Sequence, residues 1–124
     1  MAKIVHFEIP VDDPERATRF YEAVLGWQVS RFGDQPYWLV QAGGDDEAGA
    51  DGALVGRDGL HEHPVAVAGV EDVQAVVARV AQAGGRVLQG VTPIPGVGWA
   101  AYASDPEGNV VGLFQADPGA PAPG

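Results

Sequence analysis

The sequence contains no cysteine, which excludes a disulfide framework, a thiolate metal site and a cysteine nucleophile. It also lacks any run of about 18 apolar residues, the length that a membrane-spanning helix needs. The first residues, MAKIVHFEIP, do not contain the long apolar core of a signal peptide. We therefore expect a soluble, cytoplasmic protein that has no membrane partner.

Positive charge is scarce as well: seven Lys and Arg residues stand against 17 Asp and Glu residues, which gives a net charge of −10. Such a charge repels phosphate backbones and anionic lipids, so nucleic acid is excluded as a partner. The same charge would favour a cationic ligand, although solubility alone explains it more simply. At 124 residues the chain is long enough for one stable domain.

The stretch from Val5 to Val11 alternates apolar and polar side chains, which is the period of a half-buried strand. We expect its apolar face to be covered by a helix and its polar face to point the other way. The apolar face carries Val5, Phe7, Ile9 and Val11, and the polar face carries His6, Glu8 and Pro10.

A helix is predicted directly after this strand. Asp13 can cap its start, Pro14 suits its first position, and Gly26 can end it in a left-handed conformation. We expect the helix to pack on the strand through an apolar stripe at helical spacing, formed by Ala17, Phe20, Tyr21, Val24 and Leu25.

The same design begins again further along, because Asp13 and Asp72 stand 59 residues apart in similar surroundings. We predict an α+β fold of two tandem βαβββ modules, residues 3–57 and 63–116, within a single domain of residues 1–117. The modules would form a curled, cup-shaped mixed sheet with the helices outside, and a cup is a ligand site. A sandwich with that face buried in an oligomer is the alternative. Residues 118–124 are rich in Pro, Gly and Ala and are predicted to be a disordered tail.

Two loops stand out between the predicted strands. Residues 43–52 are acidic and glycine-rich, without apolar periodicity, and are predicted to be a mobile loop. The segment PIPGVGW, residues 93–99, is either a rim over the cup or a rigid hairpin connection.

Three stretches, FEIPVDDPERATRFYEAVLGW, EDVQAVVARVAQAGG and DPEGNVVGLFQ, resemble the vicinal oxygen chelate superfamily. This superfamily includes glyoxalase I, extradiol dioxygenases, fosfomycin-resistance enzymes and bleomycin-resistance proteins. The resemblance covers about residues 3–116 and implies paired βαβββ modules, a ligand cup and a homodimer.

In metal-using members of this family, ligands stand on the first and the last strand of each module. His6 matches the first position, but the equivalent position in the second module is Val65, and the last strand carries Gly112 where a glutamate would stand. The last strand of the first module offers no carboxylate either, only Leu54, Val55 and Gly56. We therefore expect no metal cofactor, with His6 as the single ligand candidate; His61 and His63 are set aside as loop residues.

His6 and Glu8 are the candidate catalytic residues. His6 is interpreted as a former ligand, a general base or a substrate-recognition group, or else as a buried histidine without a chemical role. In an apolar cup, desolvation would raise the pKa of Glu8 toward that of a general base. The alternative is an ion pair of Glu8 with Arg57 or Arg31.

The candidate ligand-binding residues are strand aromatics, which could stack on a planar or cationic ligand, together with one arginine. For at least half of these aromatics, core packing is the favoured role. The predicted set is Trp38, Arg57, Trp99, Tyr102 and Phe114.

These observations favour a small-molecule-binding protein of the glyoxalase and bleomycin-resistance type, which binds or transforms a small organic compound without the family metal. One alternative is a metal-dependent lyase or dioxygenase that takes its remaining ligands from other residues such as Glu8 and His63. The other alternative is a structural or regulatory module with a filled cup.

Overall fold

The computed structural model describes residues 1–122 and confirms an α+β fold in which the order β-α-β-β-β occurs twice. Residues 123 and 124 of the predicted tail lie outside the described residues. The first set of elements is β1 Ile4–Val11, α1 Pro14–Leu25, β2 Gln28–Arg31, β3 Tyr37–Gln41 and β4 Asp51–Gly56. The second set is β5 Val65–Gly69, α2 Val73–Val80, β6 Arg86–Ile94, β7 Gly98–Ser104 and β8 Val110–Ala116.

The chain divides into two compact units. The first unit is Val5–Val65, and the second runs from Ala66 onward and includes Met1–Ile4. In the first unit the strand order is β2-β3-β4-β1, with β1 parallel to β4 and the other pairs antiparallel. The second unit repeats this arrangement as β6-β7-β8-β5, with β5 parallel to β8. The two copies of the duplicated sequence therefore fold into the same arrangement of parallel and antiparallel strands.

Both helices begin as their sequences predict. The Asp13 side chain accepts a hydrogen bond from the Arg16 N–H at 3.1 Å, and the Asp72 side chain accepts one from the Ala75 N–H at 3.1 Å. Each carboxylate thus satisfies an N–H group that has no partner within its own helix. Gly26, with φ of 69°, ends α1 in the left-handed conformation.

The sequence predicts that five apolar residues of α1 pack on β1, and this prediction is wrong for three of them. Tyr21 stacks on Trp27 with 4.8 Å between ring centroids, and the Trp27 ring lies 5.2 Å from that of Phe7. The helix therefore contacts the strand through this aromatic stack, and the neighbouring row of its stripe faces solvent. The exposed residues are Phe20 at 57%, Val24 at 59% and Leu25 at 53%.

Several boundaries differ from the sequence prediction. Strand β4 already begins at Asp51, inside the predicted loop 43–52, and β6 continues through Pro93 to Ile94. After β8, the Gly96 N–H donates to the Ala120 carbonyl at 3.0 Å, so this part of the chain turns back on the β6–β7 turn. The disorder of residues 118–124 stays a prediction.

Each unit has its own apolar centre. In the second unit Val73 of α2 packs against Ala101 and Leu113 of the sheet. The buried hydrophobic side chains of β3 and β4 in the first unit are Val40, Ala53, Leu54 and Val55. Within residues 1–122, neither helix is both long enough and apolar enough to cross a membrane.

Candidate functional site

The strand register of the first unit places His6, Glu8 and Tyr37 on one face of the sheet. Ala53 of β4 pairs with Glu8, and Val55, two residues on, pairs with Tyr37. Residues that pair across strands share a face, and so do residues two apart on one strand. Phe7 is on the opposite face, with the aromatic stack that contacts α1.

The Tyr37 hydroxyl lies between Glu8 and His6. It donates a hydrogen bond to Glu8 Oε2 at 2.9 Å, and its oxygen lies 2.7 Å from His6 Nε2. Because a hydroxyl has a single proton, and Tyr37 donates that proton to Glu8, the Tyr37 oxygen must accept the hydrogen bond from His6. Nε2 of His6 therefore carries a proton.

The other oxygen of Glu8 is held by His61. Glu8 Oε1 lies 2.7 Å from His61 Nε2, and both residues are buried, Glu8 at 3% exposure and His61 at 7%. A buried carboxylate is costly unless its oxygens are hydrogen-bonded. Both oxygens of Glu8 meet this condition.

The turn before β5 fixes His61 through Asp58. Asp58 Oδ1 accepts hydrogen bonds from the N–H groups of Leu60 and His61, each at 2.8 Å, and lies 3.0 Å from His61 Nδ1. We call the resulting series of hydrogen-bonded side chains the Glu8 network. It consists of Asp58, His61, Glu8, Tyr37 and His6.

The carboxylates on either side of His61 change its proton affinity. Burial alone would lower the pKa of His61, but the hydrogen bonds and negative charges of Glu8 and Asp58 outweigh burial and raise it above its ordinary value. Partial burial would raise the pKa of Asp58, yet hydrogen bonds from the His61 ring and from backbone N–H groups lower it. His61 therefore keeps its proton to a higher pH than an ordinary histidine does.

His6 behaves in the opposite way. Its burial lowers the pKa of the imidazole below the ordinary value, against the opposing charges of Glu8 and Asp51. His6 is therefore neutral at neutral pH, with its proton on Nε2 and a lone pair on Nδ1. A neutral imidazole of this kind can accept a proton from a substrate.

The structure brings together both predicted catalytic residues, His6 and Glu8, with Tyr37 between them. Arg57 lies elsewhere: it forms an ion pair with Asp12 at 3.1 Å and donates to the Glu62 carbonyl. The guanidinium of Arg31 lies 5.6 Å from the ring centroid of Trp38. The ion-pair partner of Glu8 is therefore His61, and neither of the two arginines that the sequence suggested pairs with it.

The predicted aromatic ligand-binding residues fall into three places. Trp38 follows Tyr37 directly and so lies on the opposite face of the first unit's sheet. In the second unit, Trp99 packs against the core beside α2 and donates to Asp117 at 3.0 Å. Tyr102 and Phe114 share the other face of that sheet, both partly buried. Ligand binding by these residues and by Arg57 stays a prediction.

Sequence reasoning missed three members of the Glu8 network. Tyr37 begins a strand whose register relative to β1 cannot be read from alternation alone. His61 and Asp58 lie in a turn, where the spacing Asp-x-x-His was the available signal, since an Asp side chain often binds N–H groups two and three residues further on.

Two surface depressions lie in the first unit, and neither includes a member of the Glu8 network. One, of about 390 Å³, is lined mainly by residues 42–51. The other, of about 570 Å³, lies beside the start of α1 and includes Arg19, Arg31 and Trp38.

The family's metal positions, as the resemblance marks them, do not fit a metal ion in this chain. Val65 is apolar and 2% exposed. At Gly112 an added Cβ atom would lie 2.7 Å from Val67 Cγ2, so a glutamate has no room unless Val67 moves. Among residues 1–122, no group of three or more His, Cys, Asp or Glu side chains is arranged to hold a metal.

Comparison with known proteins decides the family. A family model described as the Glyoxalase/Bleomycin resistance protein/Dioxygenase superfamily matches residues 3–113. This chain belongs to that superfamily. The resemblance noted from the sequence is thereby confirmed.

Members of the superfamily with related sequences include enzymes. A lactoylglutathione lyase of Haemophilus influenzae is 32% identical over 117 residues, covering 86% of this chain and 87% of the relative. A protein of Mycobacterium tuberculosis, provisionally named as a glyoxylase, is 32% identical over 114 residues. That match covers 90% of this chain but 43% of the relative, so the chain spans less than half of the relative's length.

A solved structure supports the fold. The methylmalonyl-CoA epimerase of Streptomyces coelicolor is similar with a TM-score of 0.67 and 19% identity, covering 99% of both chains. At this identity the similarity concerns the fold alone.

Proposed function

We propose that this superfamily member is a glyoxalase-type enzyme that moves a proton on a small organic substrate, with His6 as the general base. The observation that carries the proposal is the Glu8 network, in which a neutral His6 is anchored through Tyr37 to a buried carboxylate. Networks in which one group orients a base and a further charge supports it are typical of catalytic sites.

The proposed step needs no group outside the network. Nδ1 of His6 takes a proton from a carbon next to a carbonyl; the C–H bond breaks, an N–H bond forms, and the electron pair stays on the substrate as an enolate. Nε2 keeps its proton on the Tyr37 oxygen, and the charge of Glu8 compensates the imidazolium that forms. Return of the proton to the same carbon completes a hydrogen exchange. In a 2-hydroxyacyl substrate, return of the proton to the carbonyl carbon, with transfer of the hydroxyl proton to the former carbonyl oxygen, gives the isomeric hydroxy ketone, and there is no net oxidation.

The related lyase suggests the class of substrate. A lactoyl thioester has a carbon that bears a hydrogen, a hydroxyl group and the thioester carbonyl, which is the kind of C–H bond that the proposed step breaks. The sequence identity to the Haemophilus influenzae lyase, across 87% of that protein, supports a test with lactoylglutathione.

The proposed enzyme works without a resident metal ion. Support for this comes from Val65 and Gly112, which stand where the family resemblance would place ligands and leave no room or donor for one. The metal-dependent lyase is the competing hypothesis, and elemental analysis of gently purified protein separates the two.

The experiment follows hydrogen exchange by proton NMR. The protein, treated with a chelator, is incubated in D₂O with lactoylglutathione and related 2-hydroxyacyl thioesters, and loss of the C–H signal is recorded. We expect exchange by the wild-type protein and a decrease of about 10²–10⁴-fold in His6→Gln, the range for loss of a general base. Tyr37→Phe should also exchange more slowly, because it breaks the link from His6 to Glu8.

His63→Gln is the matched control, since His63 is an exposed histidine near the same turn and belongs to no part of the network. It should exchange at the wild-type rate. Exchange that requires added Zn²⁺, Ni²⁺ or Mn²⁺ would instead support the metal-dependent lyase. Tight binding of a compound without exchange would favour the sequestering, bleomycin-resistance type of function.

Two further expectations stay predictions: a homodimer and a cytoplasmic location. Light scattering on the eluting peak of a gel-filtration column tests the first, against the 12.9 kDa mass of one chain.

A further inference from the structure

We propose that His61, held in place by Asp58, is a positioning residue that fixes the direction of every hydrogen bond in the Glu8 network and so keeps the proton of His6 on Nε2. This inference rests on the proposed function, because Nδ1 of His6 can serve as the base only while it carries no proton. The inference assigns a role to a turn whose side chains do not themselves contact the substrate.

The direction is set first at Asp58. Its Oδ1 atom already accepts from two backbone N–H groups, Leu60 and His61, each at 2.8 Å. An atom in this position acts as an acceptor, so Nδ1 of His61, 3.0 Å away, must be the donor. Asp58 thereby turns the opposite nitrogen, Nε2, toward Glu8.

Glu8 then determines the direction of the next hydrogen bond, because it accepts from both His61 and Tyr37. When His61 is protonated, Nε2 donates to Glu8 Oε1 over 2.7 Å, a short distance that is typical of a charge-assisted hydrogen bond. The positive charge of His61 keeps the buried carboxylate ionised. Oε2 therefore has no proton to give and accepts from Tyr37.

Tyr37 in turn determines which group donates in its hydrogen bond with His6. With its single proton committed to Oε2, the hydroxyl oxygen accepts from His6 Nε2 at 2.7 Å. The rings of His6 and Tyr37 are nearly parallel, inclined by 9°, with 6.3 Å between their centroids. The tautomer of His6 is thus decided by a turn that begins at residue 58.

Loss of His61 removes this constraint. Burial without the cation disfavours the charged form of Glu8, and a proton on Oε2 would let Glu8 donate to Tyr37. Tyr37 then donates to Nε2 of His6, and the proton of His6 moves to Nδ1. In such a protein we expect both hydrogen-bond directions to be populated. The fraction of His6 with an unprotonated Nδ1 then falls to about half or less.

The test reads the tautomer directly, without a substrate. The full chain, labelled with ¹⁵N in its histidines, is studied by long-range proton–nitrogen correlation NMR at about pH 6.5, the ordinary histidine pKa, which lies between the lowered pKa of His6 and the raised pKa of His61. In the wild type we expect His6 to have a protonated Nε2 and an unprotonated Nδ1. In His61→Ala the two nitrogen shifts should move toward each other.

Two further variants sharpen the result. His61→Gln removes the cation but keeps an N–H donor for Glu8, so its His6 signals should lie between those of the wild type and of His61→Ala, whereas the control His63→Gln should not change them. If His61→Ala does not fold, Asp58→Ala replaces it, since the Asp58 side chain is 59% exposed. A smaller shift in the same direction is expected there.

A pure wild-type tautomer of His6 in folded His61→Ala, or in Asp58→Ala when it is used instead, overturns the proposal. This failure is distinct from failure of the proposed function. If the tautomers behave as expected and the wild-type protein exchanges no substrate hydrogen, the positioning role stands and the proposed reaction falls.

Discussion

His61 is buried between two carboxylates, so its charge contributes to stability in a pH-dependent way. The groups that face it are Glu8 from β1 and Asp58 from its own turn. Because its pKa is raised in the folded chain, the contribution is fully present below the unfolded value of about 6.5 and is lost as the pH rises through the folded value.

The first prediction concerns His61→Gln. At about pH 6 we expect the free energy of unfolding to fall by up to about 3–5 kcal/mol, the usual cost of removing one partner of a buried ion pair. The difference from wild type should be smaller at about pH 9, because it decreases as the pH rises through the raised pKa of His61. Urea unfolding at the two pH values measures both differences.

His63→Gln provides the comparison, because it removes an imidazole from the same region at an exposed position. Its unfolding curves should follow those of the wild type. A stability difference between wild type and His61→Gln that grows with pH would show that the sign assigned to His61 is wrong.

At the residue scale, the sequence was sufficient for the part of the site that lies on one strand. Alternation along β1 placed His6 and Glu8 together on the face away from α1. Tyr37 and His61 could not be found in this way. The position of Tyr37 depends on a register set by a loop between strands, and that of His61 on the path of a turn.

At the scale of elements, a side chain of β1 covers a position of β4 and leaves no room there for a further side chain. Phe7 pairs with Gly52 in the register, and an added Cβ at Gly52 would lie 2.5 Å from the Phe7 ring. Real Cβ atoms do not approach an aromatic ring this closely, so the ring and its stack on Trp27 would have to move.

The second prediction is therefore that Gly52→Ala destabilises the protein by about 1–3 kcal/mol, the typical cost of overpacking. The matched control is Gly90→Ala, also in a strand, where an added Cβ has no atom within 4 Å. Thermal unfolding of the two variants compares them. An equal change in both would mean that strand propensity, not the contact with Phe7, limits position 52.

The elements themselves followed from local chemistry, which is why they were predictable. Asp13 and Asp72 mark the helix starts by capping, and the capping bonds form in the structure. The side of α1 that meets the sheet was not predictable from its stripe. Trp27, which follows the helix, lies between Tyr21 and Phe7 in the contact with the sheet, whereas Phe20 and Val24 face solvent.

At the scale of the whole chain, the two copies share the same order of strands and helices but differ in the polar residues that they carry. The first unit carries the buried Glu8 network, whereas the positions equivalent to His6 and Phe7 in the second copy are Val65 and Ala66. Composition could not reveal this difference, but the alignment of the two copies could. What remained hidden was how the polar side chains of the first unit bind one another.

The last prediction concerns the net charge of −10, which destabilises the folded state through repulsion between acidic groups. Salt screens this repulsion, since the Debye length falls from about 30 Å at 0.01 M to about 10 Å at 0.1 M. The melting temperature should therefore rise over this range. At low salt, Asp45→Asn with Asp46→Asn should raise it and Arg86→Gln should lower it, because all three are exposed and only the net charge changes.

Both effects should fade at high salt, which separates charge from any local contact that these variants disturb. A melting temperature that falls as salt is added would mean that attractive pairs, such as Arg57 with Asp12, outweigh the repulsion. That outcome is not expected, because an exposed pair of this kind contributes about 0–1 kcal/mol. Seven positive side chains cannot offset 17 negative ones through such pairs, so repulsion should dominate the salt response.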